Sequence, residues 1–471
     1  MAALSRRHEL VSSAKVGPDF IDPSYHALAT GSPPRNLDEW ISGSDFIAAL
    51  AAQAYSGSSL LIIEGVMGLF DGSTTNGPSA SSASVADLTG SPVVLVVDCS
   101  NIGQSVRAVV SGFLNHVPRD HHYFVEPNEG PNPSYDQQRM ATLTALTGYQ
   151  NLDLFRLQAV AKPKIVGIVL NKVSNESHGR LLKEALADIG VPILGVLFRD
   201  DRFRWRDRHL GLVPVVEDPG AIKHSLDVLS SAIEEHLDLD LLVSLAQAAQ
   251  PLPCREPPRA SRVGNARVAV ASGRAFSFAY TDNVEQLERA GAQILPFDPT
   301  RDETFPDDLD GIVVGGGFPE TYLEEIGEKK LLGRALEHLY NCGIPVWAEC
   351  GGMAWLAKSL EAVEMCGIID TTVAMTNRLT LGYREGVLNT SSPIGTAGTR
   401  VRGHEFHYSQ TDQPGDFLTL SSRNETVTSG FGSPNLAASY LHIHLGTRPD
   451  LAENFVRSCL SYKATRNKIT G

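Results

Sequence analysis

Short apolar runs that end at a polar residue recur along the first half of the chain. Three of them have helix-like segments between them: Leu60–Ile63 before Glu64, Val93–Val97 before Asp98, and Ile165–Leu170 before Asn171. Runs of this length, rich in β-branched residues, are typical of buried strands in a parallel sheet, where the polar residues that do chemistry follow the strand ends. The pattern predicts an α/β domain over residues 1–246.

A second pattern of the same kind begins after a stretch of different composition. Residues 247–265 are rich in proline, arginine and small residues, which is typical of an interdomain linker. Beyond the linker the pattern predicts a helix around Asn283–Ala290 and four strands, at Val268–Ala271, Gln293–Leu295, Gly311–Val314 and Pro345–Ala348. We therefore expect a second α/β domain over residues 266–471.

One segment fits neither domain. Residues 115–162 interrupt a strand–helix–strand unit, and their first half is full of proline, asparagine and histidine. The segment is interpreted either as a surface insertion or as sequence that does not belong to the domain, and we expect much of it to be poorly ordered.

Composition and charge restrict the classes of molecule that the protein is expected to bind. The length of 471 residues agrees with two or three domains. A net charge of −14 disfavours binding to nucleic acid or to anionic membranes, because both are polyanions. Six scattered cysteines favour a reducing compartment, because they do not suggest a disulfide framework. The lack of a long apolar stretch disfavours a membrane-spanning helix. We expect a cytoplasmic protein, and the basic, serine-containing start leaves an organelle transit peptide as the alternative.

The turn around Cys350 is the first candidate for chemistry. Cys350 follows an apolar strand, precedes a helix-like segment, and is flanked by Gly351 and Gly352. A cysteine on such a turn can act as a nucleophile, because the turn exposes the sulfur and the helix N-terminus is expected to lower the pKa of the thiol. For this motif alone, a nucleophile and a buried core cysteine are about equally expected.

Two further features favour the nucleophile. The glycine loop that contains Gly316 and Gly317 follows its own strand, so its backbone N–H groups, together with that of Gly351, could stabilise a developing oxyanion. His442 lies near the end of the sequence, where a base that meets the thiol only in the folded protein is expected.

A second candidate site lies in the first domain. The segment Lys15–Pro23 carries two carboxylates, Asp19 and Asp22, between two prolines and directly after a predicted strand. Glu64 ends another buried strand. Carboxylates at strand ends suit Mg²⁺ near nucleotide phosphates, because magnesium prefers oxygen ligands. Taken separately, each motif is more often a rigid turn or a strand-end loop, about two times in three.

The motifs GGGFPE, AECGG and ASYLHIH resemble the class I, triad-type glutamine amidotransferases of the corrinoid-forming branch. The resemblance implies that Cys350 attacks the glutamine amide to form a γ-glutamyl thioester, while His442 serves as the base. Many relatives have a glutamate two residues after this histidine. His444 stands there in this sequence, so the third member of the triad is left open. The motif GHEFHYS matches the same branch, and its His404 and His407 are interpreted as structural or close to the substrate.

The motifs KVGPDFIDP, EGVMGLFDG and VVLVVDCS, with the segment Arg208–Leu212, resemble the amidoligase domain of the cobyrinic acid a,c-diamide synthase family. The fold implied is a dethiobiotin-synthetase-like P-loop domain with a parallel sheet, joined to a class I glutamine amidotransferase α/β domain. The resemblance implies site residues of three kinds: Asp19 and Glu64 at Mg²⁺ or phosphate, Asn171 and Lys172 near the adenine, and Asp22, Lys15 and Arg208 at the corrinoid.

One departure from the family concerns the phosphate loop. No G-x-x-x-x-G-K-[ST] sequence is present, although members of the family begin with a strand and such a loop. We expect the N-terminal sheet to lack its first strand and its P-loop. A truncated gene model and real degeneration both explain the difference, and the interrupting segment favours the former.

The resemblance implies amidation of the a and c carboxylates of cobyrinic or hydrogenobyrinic acid in cobalamin biosynthesis, with glutamine, ATP, Mg²⁺ and the corrinoid as partners. The alternative is a non-catalytic or glutaminase-only remnant, because the P-loop is missing. A homodimer is among the assemblies left open.

Overall fold

The computed structural model describes residues 1–73, 79–116, 164–203, 207–208, 211–252, 256–422 and 425–470. The predicted insertion at 115–162 falls almost entirely outside them, as does the side chain of Arg208. No helix within these ranges is long and apolar enough to cross a membrane.

The described helices are α1 (Ala2–Arg6), α2 (Ile21–Thr30), α3 (Glu39–Ser42), α4 (Ser44–Tyr55), α5 (Ser82–Thr89), α6 (Val106–Asn115), α7 (Glu176–Ala185), α8 (Pro219–His236), α9 (Leu239–Gln247), α10 (Thr281–Ala290), α11 (Leu323–Glu328), α12 (Lys330–Asn341), α13 (Gly351–Leu356) and α14 (Pro449–Thr470).

The described strands are β1 (Val11–Val16), β2 (Arg35–Leu37), β3 (Leu60–Glu64), β4 (Val93–Asp98), β5 (Ile165–Val173), β6 (Ile193–Phe198), β7 (Asp207–Arg208), β8 (Gly211–Leu212), β9 (Ala266–Ala271), β10 (Ala292–Phe297), β11 (Gly311–Val314), β12 (Val346–Glu349), β13 (Ser359–Leu360), β14 (Val363–Glu364), β15 (Thr372–Leu388), β16 (Arg400–Thr411), β17 (Leu418–Ser421), β18 (Thr426–Ser429), β19 (Phe431–Ser433), β20 (Leu436–Ser439) and β21 (His442–Ile443).

The N-terminal strands are parallel, as the apolar runs predict. They form two three-stranded sheets, in the orders β2-β1-β3 and β4-β5-β6. In the first sheet the register places Lys15 beside Glu64, so polar groups gather at the carboxyl ends of β1 and β3. Within the described chain β3 and β4 each pair with one strand only, and the predicted absence of a first strand remains a prediction.

Packing of apolar side chains holds β1 in place. Every residue of β1 is buried, and Ala14 and Val16 pack with Ile47 and Leu50 of α4. Burying one such leucine or isoleucine side chain stabilises the fold by about 1.5–3 kcal/mol. This packing fixes the strand end from which the loop at residues 17–20 leaves.

The C-terminal domain contains a six-stranded sheet in the order β10-β9-β11-β12-β20-β19, in which only the β19–β20 pair is antiparallel. A second sheet, built on the long β15–β16 hairpin, carries β21 beside β16. The carboxyl ends of β11, β12 and β20 meet at one edge of the first sheet. The second sheet brings His442 to that edge.

The two domains contact each other through buried charged groups. Arg35 in β2 donates to Asp282 and to Glu285 of α10, each at 2.7 Å. The hydroxyl of Tyr383 donates to Asp38 across the same boundary, at 2.8 Å. Because an unpaired buried charge is costly, these pairs hold the domains in one relative orientation.

Candidate functional site

The turn at Cys350 has the geometry of a nucleophile elbow. Cys350 lies between β12 and α13 with φ 49° and ψ −110°, a conformation that L-residues rarely adopt. The next two positions must be glycine, because a Cβ at Gly351 would lie 2.9 Å from the Gly317 carbonyl oxygen and one at Gly352 would lie 2.2 Å from that of Val314. The turn is therefore pressed against the loop that follows β11.

The Cys350 thiol is less exposed, and its pKa is higher, than the sequence led us to expect. Cys350 is only 7 % exposed, and burial, with a further contribution from the negative charge of Glu320, raises its pKa to about 12. The Gly351 N–H opposes this shift without overcoming it. The helix N-terminus therefore contributes the predicted lowering, but burial outweighs it and the pKa of the thiol is raised in the resting protein. A base must take the proton of the thiol before the sulfur can attack.

His442 is the residue predicted to act as such a base. It is buried in β21, and a Cβ at Gly316 would lie 2.4 Å from its Cε1 atom, so the glycine loop lies directly against the ring. Burial, together with His404 and His407, lowers the pKa of His442 well below its usual value. The imidazole is therefore neutral at rest and able to accept a proton.

The ring of His442 has neighbours from three parts of the chain. His404 of β16 stacks on it with ring centroids 4.9 Å apart. Phe20 of the N-terminal domain has its ring centroid 5.0 Å away. Glu349, the residue before the cysteine, has its Oε2 atom 3.8 Å from Nδ1 of His442.

His444, two residues after His442, contacts the boundary between the domains. Its Nε2 atom lies 3.4 Å from Oδ2 of Asp282, the residue that also binds Arg35. Its Nδ1 atom accepts the N–H of Gly446 at 3.2 Å. His444 therefore belongs to the buried charged cluster between the domains.

The three predicted oxyanion residues differ in what their amides do. The N–H of Gly316 donates to the carbonyl of Phe278 at 3.2 Å, so Gly316 shapes the loop instead of offering its amide. Gly317 has φ 155°, and a Cβ there would lie 2.1 Å from the Ala275 carbonyl oxygen. A Cβ on Gly351 would lie 3.2 Å from the Gly317 nitrogen. Gly317 and Gly351 therefore lie close together and line one cavity with Cys350, and the Gly351 N–H interacts with the thiol.

A cavity lies on the open side of Cys350. Its lining comes from the glycine loop, the start of α13 and the β15–β16 hairpin, and it includes Gly317, Glu320, Met375, Phe406, His407 and Ser409. The mixture of apolar walls and a few polar groups is typical of a small-molecule site.

The N-terminal carboxylates are held by cations. Nζ of Lys15 lies 2.6 Å from Asp22 and 3.4 Å from Glu64, and Glu64 also contacts Nε2 of His26. Lys15 is only 4 % exposed. The corrinoid contact of Lys15 stays a prediction, and in this structure its ammonium is buried among these carboxylates.

Asp19 sits in a rigid loop. Its Oδ1 atom accepts the N–H of Ile21 at 2.9 Å, and the side chain of Asn36 donates to the carbonyls of Gly17 and Asp19 at 2.9 and 2.7 Å. Burial and the neighbouring Asp22 raise the pKa of Asp19 to about 6.

The carboxylates alone do not enclose a metal ion. No group of three or more histidine, cysteine, aspartate or glutamate side chains within the described residues is arranged to hold one. Asp19 and Glu64 supply the oxygen atoms that magnesium prefers, and magnesium usually completes its shell with water and phosphate oxygens. The donor set fits Mg²⁺ only as an ion shared with a nucleotide.

The predicted adenine-side residues lie at the end of β5. The carbonyl of Asn171 accepts the N–H of Cys99 at 2.8 Å. Lys172 has φ 57°, and its ammonium pairs with Asp98 at 2.8 Å on the surface. The backbone of Arg208 lies in β7, whereas its side chain is outside the described residues.

Sequence reasoning missed Phe20, which joins the two regions. Its ring stacks on Phe278 at 5.2 Å and contacts Tyr280 at 4.4 Å, besides the contact with His442. The hydroxyl of Tyr280 donates to the carbonyl of Pro18 at 3.1 Å. The loop that holds Asp19 thus touches the base of the cysteine site. An aromatic residue between two carboxylates was the available signal.

Comparison with known proteins agrees with the two-domain architecture. The family model described as a CobQ/CobB/MinD/ParA nucleotide binding domain matches residues 1–213, and that of a CobB/CobQ-like glutamine amidotransferase domain matches residues 267–450. A solved structure of a glutamine amidotransferase aligns at 16 % identity with 41 % of this chain and 98 % of its own, with a TM-score of 0.30, which is too low to support an argument.

Relatives of nearly full length are more informative. The hydrogenobyrinate a,c-diamide synthase of Streptomyces coelicolor is 36 % identical, over 98 % of this chain and 93 % of that protein. The cobyrinate a,c-diamide synthase of Synechococcus is 35 % identical, over 98 % and 94 %. The hydrogenobyrinate a,c-diamide synthase of Mycobacterium bovis is 34 % identical, over 97 % and 93 %.

Proposed function

Because the chain belongs to the family of cobyrinate and hydrogenobyrinate a,c-diamide synthases, we propose that it is a ligase that amidates the a and c carboxylates of such a corrinoid with nitrogen from glutamine and energy from ATP. The observation that carries the proposal is the contact of Phe20 with His442, since it couples the acidic loop to the cysteine site within one chain.

The proposed reaction at the cysteine site starts from neutral groups. His442 takes the proton of Cys350, and the sulfur attacks the glutamine amide. The N–H groups of Gly317 and Gly351 stabilise the oxyanion of the tetrahedral intermediate. His442 then gives the proton to the departing ammonia, which leaves a γ-glutamyl thioester. Water, deprotonated by the same histidine, hydrolyses the thioester to glutamate.

The proposed reaction at the N-terminal site consumes the ammonia. ATP phosphorylates a side-chain carboxylate of the corrinoid, and ammonia displaces phosphate from the acyl phosphate to form the amide. Asp19 and Glu64 would hold Mg²⁺, which supplies charge neutralisation at the phosphates when bound. Asn171 and Lys172 would contact the adenine, and Asp22, Lys15 and Arg208 the corrinoid. Lys15 can serve there only if substrate displaces its carboxylate partners.

A glutaminase-only protein is the second candidate. The sequence contains no G-x-x-x-x-G-K-[ST] phosphate loop, whereas the cysteine, the glycine loop and the histidine proposed for glutamine hydrolysis are all present in the C-terminal domain. This candidate keeps the reaction at the cysteine and omits the ligase step.

Diamide formation tests the proposal. The purified chain is incubated with cobyrinic or hydrogenobyrinic acid, glutamine, ATP and Mg²⁺, and the corrinoid is analysed by mass spectrometry while nucleotide binding is titrated separately. Formation of the a,c-diamide with ATP consumption is expected. Glutamate release without nucleotide binding or amidation would leave the glutaminase-only candidate in its place.

A further inference from the structure

His442 has a ring nitrogen that nothing in the described chain satisfies. Its Nδ1 atom is buried and makes no hydrogen bond among the described residues. A base that becomes positively charged during the reaction is stabilised when a carboxylate faces its far nitrogen. The residue two positions later cannot supply one, since it is His444 and faces Asp282.

Glu349 is the carboxylate that faces this nitrogen. Its Oε2 atom lies 3.8 Å from Nδ1 of His442, which is within ion-pair distance and beyond that of a hydrogen bond. Its Oε1 atom accepts the N–H of Ile443, the residue after the histidine, at 3.2 Å. The carboxyl group is therefore anchored to the strand that carries His442.

We propose that Glu349 is the positioning residue of the cysteine site: it orients His442 and stabilises the imidazolium that forms when Cys350 loses its proton. This inference rests on the proposed hydrolysis of glutamine. It assigns the place of the third group to the residue immediately before the nucleophile, on β12, instead of the residue two positions after the histidine.

The electrostatics agree with that geometry. Burial raises the pKa of Glu349 to about 8, because the resting site holds no positive charge next to it. Once Glu349 has released its own proton to solvent, proton transfer from Cys350 to His442 creates a positive charge 3.8 Å from the carboxylate, and opposite charges at that distance attract. The imidazolium then stabilises both the thiolate and the carboxylate, whereas the two anions repel each other.

Other titratable groups face the same two reacting residues. From the β16 strand, His404 and His407 lie near His442 and disfavour its protonation. Glu320 and Glu405 lie near Cys350, and their negative charges disfavour the thiolate. Glu349 also has this direct effect on the thiol, so its two possible actions on Cys350 have opposite signs.

That opposition defines the experiment. The rate of alkylation of Cys350 by iodoacetamide is measured against pH by peptide mass spectrometry, in the wild type, Glu349→Gln and Glu405→Gln. If Glu349 acts through His442, its loss raises the midpoint of the profile by about one pH unit, so that alkylation below the midpoint slows about tenfold. Glu405→Gln, which removes a buried carboxylate that pairs with Arg384, lowers the midpoint or leaves it unchanged.

An unchanged or lowered midpoint in Glu349→Gln overturns the proposal, because it is the result expected of a mere nearby charge. If Glu349→Gln does not fold, Glu349→Asp answers the same question, since it keeps a carboxylate at a greater distance. Its midpoint is expected between those of the wild type and a site without the carboxylate, and a midpoint below the wild type contradicts the proposal.

Alkylation needs no glutamine, so the test is separable from the proposed function. Glutamate release by the wild type is measured in parallel, and Glu349→Gln should lower kcat with little change in KM. Absence of glutamate release in the wild type would count against the proposed function alone.

Discussion

The reacting groups of the cysteine site are neutral, whereas those of the acidic site at β1 and β3 are charged and paired. Cys350 and His442 are buried and neutral, because burial raises the pKa of one and lowers that of the other. Lys15, Asp22 and Glu64 form a cluster of ion pairs. The first site is shaped by close backbone packing, and the second by attraction between charges that a ligand would have to displace.

The two sites are therefore sensitive to different kinds of substitution. A neutral, close-packed site is disturbed by an added methyl group, whereas a charged cluster is disturbed by the loss of one partner. The boundary between the domains, where Phe20 and Arg35 lie, combines both kinds of contact. Substitutions of each kind therefore test whether the two sites differ in this way.

The largest effect is expected at the nucleophile. Cys350→Ser should lower glutamate release from glutamine by about 10⁴-fold or more, because the hydroxyl is a far weaker nucleophile beside a histidine arranged for a thiol. Release is measured with a coupled glutamate assay. The exposed Cys342 provides the matched control, and Cys342→Ser should retain wild-type release. Equal losses in both variants would contradict the assignment.

A smaller effect, on stability, is expected at the domain boundary. Arg35→Ala leaves the buried Asp282 and the half-buried Glu285 without their shared cation, which should lower the free energy of unfolding by about 3–5 kcal/mol. Chemical denaturation measures the change. Arg107→Ala removes an ion pair of the same type on the surface and should change stability little. Similar losses of unfolding free energy in the two variants would show that burial of the Arg35 ion pairs does not affect stability.

The glycine loop should be sensitive to one methyl group. A Cβ at residue 316 would lie 2.4 Å from Cε1 of His442, so Gly316→Ala must displace the base. We expect kcat for glutamine hydrolysis to fall about 100-fold, as for a displacement of about 1 Å in a catalytic group. Gly220→Ala, where a Cβ meets nothing within 4 Å, is the control. Wild-type activity in Gly316→Ala would mean that His442 is not the base.

The smallest effect is expected at the aromatic contact between the sites. Phe20→Ala removes the ring that lies on His442, Phe278 and Tyr280 while leaving the groups of both sites in place. Glutamine-dependent amidation should fall about 2- to 12-fold, the equivalent of one aromatic pair. Amidation driven by added ammonium salt should fall less, and it serves as the internal control. An equal fall in both rates would indicate damage to the ligase site itself.

Local patterns in the sequence predicted much of the fold. The parallel strands were predicted because buried runs and their polar ends are visible in the chain itself. The strand–turn–helix at Cys350 was predicted because only small residues fit such a turn. These features depend on neighbours within a few positions, which the sequence displays.

What the sequence did not reveal depends on partners far away in the chain. The burial that raises the pKa of the Cys350 thiol comes from tertiary packing, and so does the enclosure of Lys15 by Asp22 and Glu64. Phe20 and Glu349 gain their significance only when β21 brings His442 beside them. No periodicity or spacing encodes such contacts.

The transfer of ammonia from Cys350 to a corrinoid carboxylate is tested most directly by comparing two nitrogen sources. Diamide formation is measured in the wild type and in Cys350→Ser, each with glutamine and separately with ammonium chloride as the nitrogen source, in the presence of ATP and Mg²⁺. The wild type is expected to use both sources, and Cys350→Ser is expected to use ammonium chloride only. Diamide formation by Cys350→Ser from glutamine, or none by the wild type from either source, would contradict it.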